Sequence, residues 1–270
     1  MLLRHGSIGP SVTALQRELT RAGYPVSIDG DFGPNTERAV RLYQRDHGLV
    51  ADGIAGPKTR AALHGQQSGQ MLRQIDLVNA AQRLGVELAA VMAVNEVESR
   101  GKGFHLGGPR NGQPVILFER HIMRRQLQHH GINPVPYQRT QPDIVNASPG
   151  GYVGGYREHS RRERAAEIHD AASIEAASWG LFQIMGFHWQ RLGYASAAHY
   201  AVEMSTDEAN QMVAFVRFIE ADRAIHAALR RRDWADFARR YNGPNYAAND
   251  YDTKLAAAYR RHAQELRQAA

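Results

Sequence analysis

The sequence predicts a mainly α protein in two parts, a small three-helix module joined to a larger helical domain. Three observations predict it. A short motif repeats near the N-terminus, apolar residues recur at helical spacing through most of the chain, and a polar, glycine-containing break separates two such series. The 270 residues are enough for two modest domains whose cores need no covalent staples.

The first helix is read from Val12, Leu15 and Leu19, which fall on one stripe at i, i+3 and i+7. The repeat follows. Asp29-Gly30-Asp31-Phe32-Gly33-Pro34-Asn35-Thr36 returns as Asp52-Gly53-Ile54-Ala55-Gly56-Pro57-Lys58-Thr59, 23 residues later. Each copy reads as a turn feeding a helix: glycines take positive φ, proline suits the first helical turn, and Thr or Asn can cap it. Ala39, Val40, Leu42 and Tyr43 pack the helix between the copies. The acids here sit in turns and carry no catalytic chemistry. His64 to Gln70 lacks apolar periodicity and reads as a short flexible linker, so the boundaries fall at 1–64, 65–72 and 73–270.

In the larger part, Ile75, Val78, Ala81 and Leu84 form a stripe that Gly85 interrupts. Glu87 to Ser99 is apolar on most sides, which marks a buried helix, and Gly101 is placed to end it. Segments 101–114 and 131–155 are rich in Gly and Pro and read as loops. Pro114 to Phe118 is too short an apolar run to choose between strand and buried helix. Val202–Ala221, Ala224–Tyr241 and Tyr251–Gln268 carry helical spacing, with Trp234, Phe237 and Tyr241 as core positions.

Composition narrows the chemistry. There are no cysteines, which removes disulfides, thiol nucleophiles and Cys-ligated zinc. The net charge of +6 comes almost wholly from arginine, since only Lys58, Lys102 and Lys254 are lysines. Such basicity suits an anionic partner, but no nucleic-acid motif accompanies it, so nucleic acid is disfavoured. No apolar run approaches the roughly 20 residues that span a bilayer, which argues against stable membrane insertion. The N-terminus lacks the apolar core of a signal peptide. The 13 histidines form no His-Glu-x-x-His or comparable ligand spacing, so neither metal nor cofactor is expected. The expected state is a monomer.

The sharpest anomaly is Val94-Asn95-Glu96-Val97-Glu98-Ser99-Arg100, where two carboxylates close an apolar helix. Glu98 shares a face with Val91 and Val94, while Glu96 lies about 200° round the helix. A carboxylate in a last turn faces the negative end of the helix dipole, and burial acts in the same direction. Both raise its pKa, as a general acid working near neutral pH requires. The structural alternative pairs one of these glutamates with Arg100 or Lys102. Ser178-Trp179-Gly180-Leu181-Phe182-Gln183-Ile184 mixes small residues, aromatics and an amide, suiting either a sugar-binding wall or a tight core turn. Tyr241-Asn242-Gly243 reads as a polar-aromatic loop that closes a helix.

Gly6, Gly9, Leu15-Gln16, Asp29-Gly30, Phe32-Gly33, Thr36, Tyr43-Gln44, Asp52-Gly53, Gly56 and Thr59 resemble the framework of the helical peptidoglycan-binding domain found in many bacterial and phage wall hydrolases. Glu98-Ser99, Gly180-Leu181-Phe182-Gln183-Ile184 and Tyr241-Asn242-Gly243 are similar to motifs of goose-type lysozymes and lytic transglycosylases. Val97 to Phe104, Leu117 to His121 and Tyr251 to Ala256 resemble the N-acetylmuramidase domain of modular phage endolysins more closely. The resemblance implies a wall-binding module linked to a lysozyme-like catalytic domain that hydrolyses the β-1,4 bond after N-acetylmuramic acid in peptidoglycan. It makes Glu98 the general acid and places Phe182, Gln183, Tyr241 and Asn242 along the substrate groove. It further implies storage in the host cytoplasm and release to the wall during lysis. No motif supplies a second carboxylate. Glu119, ending an apolar run, is the candidate to orient water, with structural pairing to Arg120 or His121 as its alternative. A lytic transglycosylase and an inactive wall-binding or phage structural protein are the rival readings.

Overall fold

One buried glutamine in each repeat explains why the motif recurs. Gln16 lies on α1 (Pro10–Arg21), where its side-chain oxygen accepts the Gly30 N–H at 2.9 Å. Its Nε2 donates to Asp29 Oδ1 at 2.8 Å, the Asp31 carbonyl at 2.9 Å and Thr36 Oγ1 at 3.1 Å. Gln44 on α2 (Pro34–Asp46) repeats the pattern with Gly53, Asp52, Ile54 and Thr59, at 2.9, 2.8, 3.0 and 3.1 Å. Thr59 stands on α3 (Pro57–Leu63). The repeated Asp, Gly and Thr therefore satisfy a buried amide, which would be costly if left unpaired. Val12, Leu15, Leu19, Phe32, Val40 and Tyr43 pack the core of these three helices, as the sequence stripe predicts.

The computed structural model describes residues 2–66, 69–99, 101–243 and 250–269. The chain divides into two units, one formed by Met1–Gly101 with Ala224–Ala270 and the other by Lys102–Arg223. Linkage between module and domain departs from the sequence expectation. Met71, inside the expected linker, belongs to the core of the three-helix module, and Leu72 is fully buried. Two apolar side chains at the end of a polar stretch are enough to anchor it.

After Leu72 come α4 (Gln74–Leu84) and α5 (Leu88–Glu98). Gly85 ends α4 in the left-handed conformation, φ 63°. The buried stripe of α4 is shifted from expectation: Leu77, Ala80, Ala81 and Leu84 face inward, while Ile75 is 50% exposed. Ala89 to Val94 of α5 are all buried, each large aliphatic among them contributing about 1.5–3 kcal/mol. The helix stops at Glu98, because Ser99 is already extended, and so ends before Gly101.

In the second unit the ambiguous apolar run is a strand. β1 (Ile116–Phe118) is followed by α6 (Arg120–His129), α7 (Val135–Thr140), α8 (Glu158–Ile168) and α9 (Asp170–Glu175). β2 (Ala177–Trp179) and β3 (Ile184–Met185) complete an antiparallel sheet in the order β1-β2-β3, with Ile116 opposite Trp179 and Trp179 opposite Ile184. Two helices, α10 (Ala197–Thr206) and α11 (Glu208–Glu220), replace the single one expected, because the Asp207 side chain accepts the Asn210 N–H at 2.7 Å and caps a new start.

The first unit closes with α12 (Arg223–Arg231), α13 (Trp234–Asn242) and α14 (Tyr251–Ala269). Here too one expected helix is two: Arg232 takes φ 59°, and Asp233 caps α13 through the Asp236 N–H at 3.1 Å. α14 packs along α5 and α13.

Candidate active site

The end of α5 sets two carboxylates in opposite environments. Glu98 is the last helical residue and is half-buried. Burial pushes its carboxyl up to about 7, against a single hydrogen bond that favours the charged form. That bond comes from Asn242 at the end of α13, whose Nδ2 donates to Glu98 Oε1 at 3.0 Å. Next to Asn242, burial, the Glu98 charge and Tyr251 hold the Tyr241 hydroxyl well above its ordinary value, so it keeps its proton. The Tyr241 ring stacks on Phe237, with centroids 5.6 Å apart and planes within 7°. Thus the helical spacing that reads as core packing also fixes the phenol beside Glu98.

Glu96 turns to the other side of α5, as the spacing requires. Its carboxylate takes His262 Nε2 at 2.8 Å and the Arg261 guanidinium, both from α14. His262 also reaches Glu265 at 3.3 Å and is fully buried. Burial alone would raise the Glu96 carboxyl, but His262 and Arg261 outweigh it and hold the group below the usual range. This partnership stands in place of the alternative surface pairing with Lys102; Arg100, the other partner of that alternative, lies outside the described residues, as do residues 244–249 after the Tyr241 loop. A cavity of about 590 Å³ opens on the Glu96 face, lined among others by Asn95, Ser99, Asp52 and Lys254, and Glu98 takes no part in it.

Gln183 and Phe182 belong to the β2–β3 turn in the second unit. Gln183 takes φ 51° and its Nε2 donates to the carbonyls of Gly180 at 2.8 Å and Val115 at 3.3 Å. Its oxygen accepts the Ser178 hydroxyl at 2.9 Å. The amide therefore braces its own hairpin. Phe182 is only 4% exposed and stacks on Phe215 at 4.5 Å, inside the core, so the tight-turn alternative describes both residues better than a groove wall does.

Glu119 precedes α6. Its two carboxylate oxygens accept the Tyr152 hydroxyl at 3.0 and 2.9 Å, and His121 Nδ1 lies 3.3 Å away. Of the two alternative partners His121 is the nearer, at ion-pair distance without a hydrogen bond. Arg120 instead donates to the carbonyls of Ser148, Pro142 and Pro149. Tyr152, Arg261 and His262 were not legible as partners, because they lie in a glycine-rich loop or more than 160 residues along the chain from the glutamates they hold.

Residues 87–263 match the family model described as N-acetylmuramidase, and residues 8–63 match that of a putative peptidoglycan binding domain. The crystal structure of the Burkholderia AP3 phage endolysin is similar with a TM-score of 0.91 at 49% identity, over 98% of this chain and 100% of that one. A zinc D-Ala-D-Ala carboxypeptidase of Streptomyces albus G is 50% identical over 62 residues, 21% of this chain and 24% of that protein. An N-acetylmuramoyl-L-alanine amidase of Mycobacterium tuberculosis is 46% identical over 57 residues, 21% of this chain and 14% of that protein. The match spans a quarter or less of the length of these two curated relatives.

Proposed function

From a chain that belongs to the N-acetylmuramidase family, and is thereby a lysozyme-type glycoside hydrolase acting on peptidoglycan, we propose hydrolysis of the β-1,4 bond between N-acetylmuramic acid and N-acetylglucosamine with Glu98 as general acid. The observation that carries this is the Glu98 carboxyl, held up to about 7 by burial at the end of α5. At neutral pH a large share of it is protonated and able to hand a proton to the leaving sugar oxygen. Asn242 fixes the carboxyl by its 3.0 Å hydrogen bond, and the protonated Tyr241 hydroxyl adds no charge beside it.

Hydrolysis also needs a group that orients water or supports an oxocarbenium-like transition state. Glu119 takes that role in this reading, with its carboxylate fixed by the Tyr152 hydroxyl. Residues 1–64 act as the wall-binding module, tethering the enzyme to its insoluble polymer, and Gln183 with Phe182 supports the sheet turn rather than contacting sugar. In a lytic life cycle the protein acts from the host cell outward onto the wall.

Mass spectrometry of digested sacculi tests the reaction. Hydrolysis leaves a reducing muramic end, whereas 1,6-anhydromuramic products, lighter by one water, identify attack by the sugar's own C6 hydroxyl and overturn the assignment.

A further inference from the structure

The loop between α7 and α8 contains a direct duplication, Gly150-Gly151-Tyr152-Val153-Gly154-Gly155-Tyr156. All four glycines take positive φ, between 59° and 99°, a conformation that bulkier residues rarely adopt. Tyr152, Val153 and Tyr156 remain 49%, 41% and 47% exposed. Exposed apolar side chains are ordinary when scattered, but these three are presented together by one loop.

The loop is firmly held. The fully buried Glu158 accepts the N–H groups of Val153 at 2.7 Å and Gly154 at 2.8 Å through one oxygen. Its other oxygen pairs with Arg161 at 2.7 Å. On the other side Arg120 donates to the Ser148 and Pro149 carbonyls at 2.9 and 3.0 Å, and a Cβ on Gly151 would stand in tight contact, 3.2 Å, with that guanidinium. Arg157 closes on the Val153 carbonyl at 2.7 Å. A buried carboxylate with its arginine, and two further arginines, thus fix the backbone while the rings stay out. The Tyr152 ring is further oriented by its hydroxyl on Glu119.

We propose that Tyr152 and Tyr156 form a sugar-stacking platform for the peptidoglycan glycan strand, a binding subsite that sets the affinity for glycan length. It rests on the muramidase reading above. The chemistry favours this occupant. The C–H faces of pyranose rings are apolar and pack on aromatic faces. Glu119 on the Tyr152 hydroxyl, and Arg120 and Arg157 on the loop's backbone carbonyls, are polar groups next to the platform for the hydroxyl rims. A rigid platform also loses little entropy when the glycan docks.

The test uses the full chain and peptide-free glycan strands of alternating N-acetylglucosamine and N-acetylmuramic acid. Tyr156→Ala is expected to raise KM by about three- to tenfold with kcat far less affected, the size of one lost ring contact. Tyr152→Ala should raise KM by a similar factor and also lower kcat, because it releases Glu119. Tyr152→Phe keeps the ring and is expected to restore KM, so any fall in its kcat reports Glu119 alone. Unchanged KM in both alanine variants overturns the platform. So does a shift in sedimentation from dimer to monomer in Tyr156→Ala, which would show that a second copy covers the rings. Binding of the same strands, measured calorimetrically, separates this proposal from the catalytic one. Weakened binding by Tyr156→Ala stands even if Glu98→Gln leaves lysis intact, and unchanged binding defeats the platform even if Glu98→Gln abolishes lysis.

Discussion

Glu96 and Glu98 sit two residues apart on α5, and their proton affinities are driven in opposite directions. Glu96 is held charged by His262 Nε2 at 2.8 Å and by Arg261, whereas Glu98 is pushed up to about 7 by burial. The 200° between them puts one against α14 and the other beside Asn242. Two carboxylates in one turn whose environments separate their proton affinities suit the roles of the proposed acid and a structural neighbour.

Glu98→Gln keeps volume and hydrogen bonding but removes the transferable proton, so lysis should fall by about 10²–10⁴-fold with an unchanged unfolding midpoint. Glu96→Gln should do the reverse. It removes the Glu96 carboxylate from the fully buried His262, which keeps Glu265, and from the half-buried Arg261, so stability should fall by about 1–3 kcal/mol, the size of a lost charge-assisted hydrogen bond. Turbidity clearance of sacculi and urea unfolding of both variants check the pair. A stable, inactive Glu96→Gln with a stable, active Glu98→Gln would exchange the two roles.

The pH profile follows from the same carboxyl. A general acid works while protonated, so kcat/KM should hold below about 7 and fall as pH rises through that value, about tenfold per unit beyond it. The Asn242 N–H favours the charged carboxylate, so removing it in Asn242→Ala should move the alkaline limb upward. A limb that moves downward would mean that Asn242 supports the protonated form instead.

Stability should show a different window, set by the Glu96–His262 clasp. Burial lowers the His262 pKa, but hydrogen bonds and charge from Glu265 and Glu96 outweigh it and raise the group above 6.5. Its stabilisation is therefore present below the unfolded pKa of about 6.5 and is lost as pH rises through the folded value. The depressed Glu96 contributes above its own unfolded value and loses that contribution as pH falls through the folded one. Arg261 and Asp52 also face His262, the first opposing and the second favouring its charge, and Arg41 pairs with Glu265 behind it. Thermal unfolding against pH should therefore show a maximum between the two folded values. His262→Ala should lower that maximum and remove the alkaline loss, and an unaltered pH dependence in that variant would show that the pair is not the source.

Sequence pattern reveals what depends on local spacing. The apolar run of α5, the repeat with its Pro-led helices and the two glutamates at the helix end are visible because each is written within a dozen residues. The helix α8 is hidden for the opposite reason: it buries Glu158, His159 and Arg161, so its inward face has no apolar stripe. The breaks at Asp207 and Arg232 are hidden because apolar spacing runs through them, while a single capping side chain decides. Gln183 and Phe182 show the limit at the site. Their composition suits a sugar wall, but only the fold reveals that the amide is already bonded to its own hairpin and the ring stacked on Phe215. The partners of Glu96 and Glu119 arise from chain-distant packing, which no local pattern encodes.

Removing residues 1–64 tests whether the first module only tethers. Tethering raises local concentration without touching the scissile bond, so activity on intact sacculi should fall by about 10²-fold or more while activity on short soluble glycans changes little. The structure adds a second consequence. Arg41 of α2 pairs with Glu265 of α14, Ala51 N–H donates to Gln74 Oε1 of α4 at 3.1 Å, and Met71 packs into the module's core. The deletion thus uncovers Met71 and leaves Glu265 without its arginine, next to the His262 that holds Glu96 on α5. The shortened chain should therefore melt at a lower temperature than the full one. Arg41→Ala in the full chain separates the two effects, because it should reproduce part of the lost stability while retaining pull-down by insoluble peptidoglycan. Equal losses on sacculi and on soluble glycans in the deletion would show that the module acts by supporting α5 and α14, and the tethering role would fall.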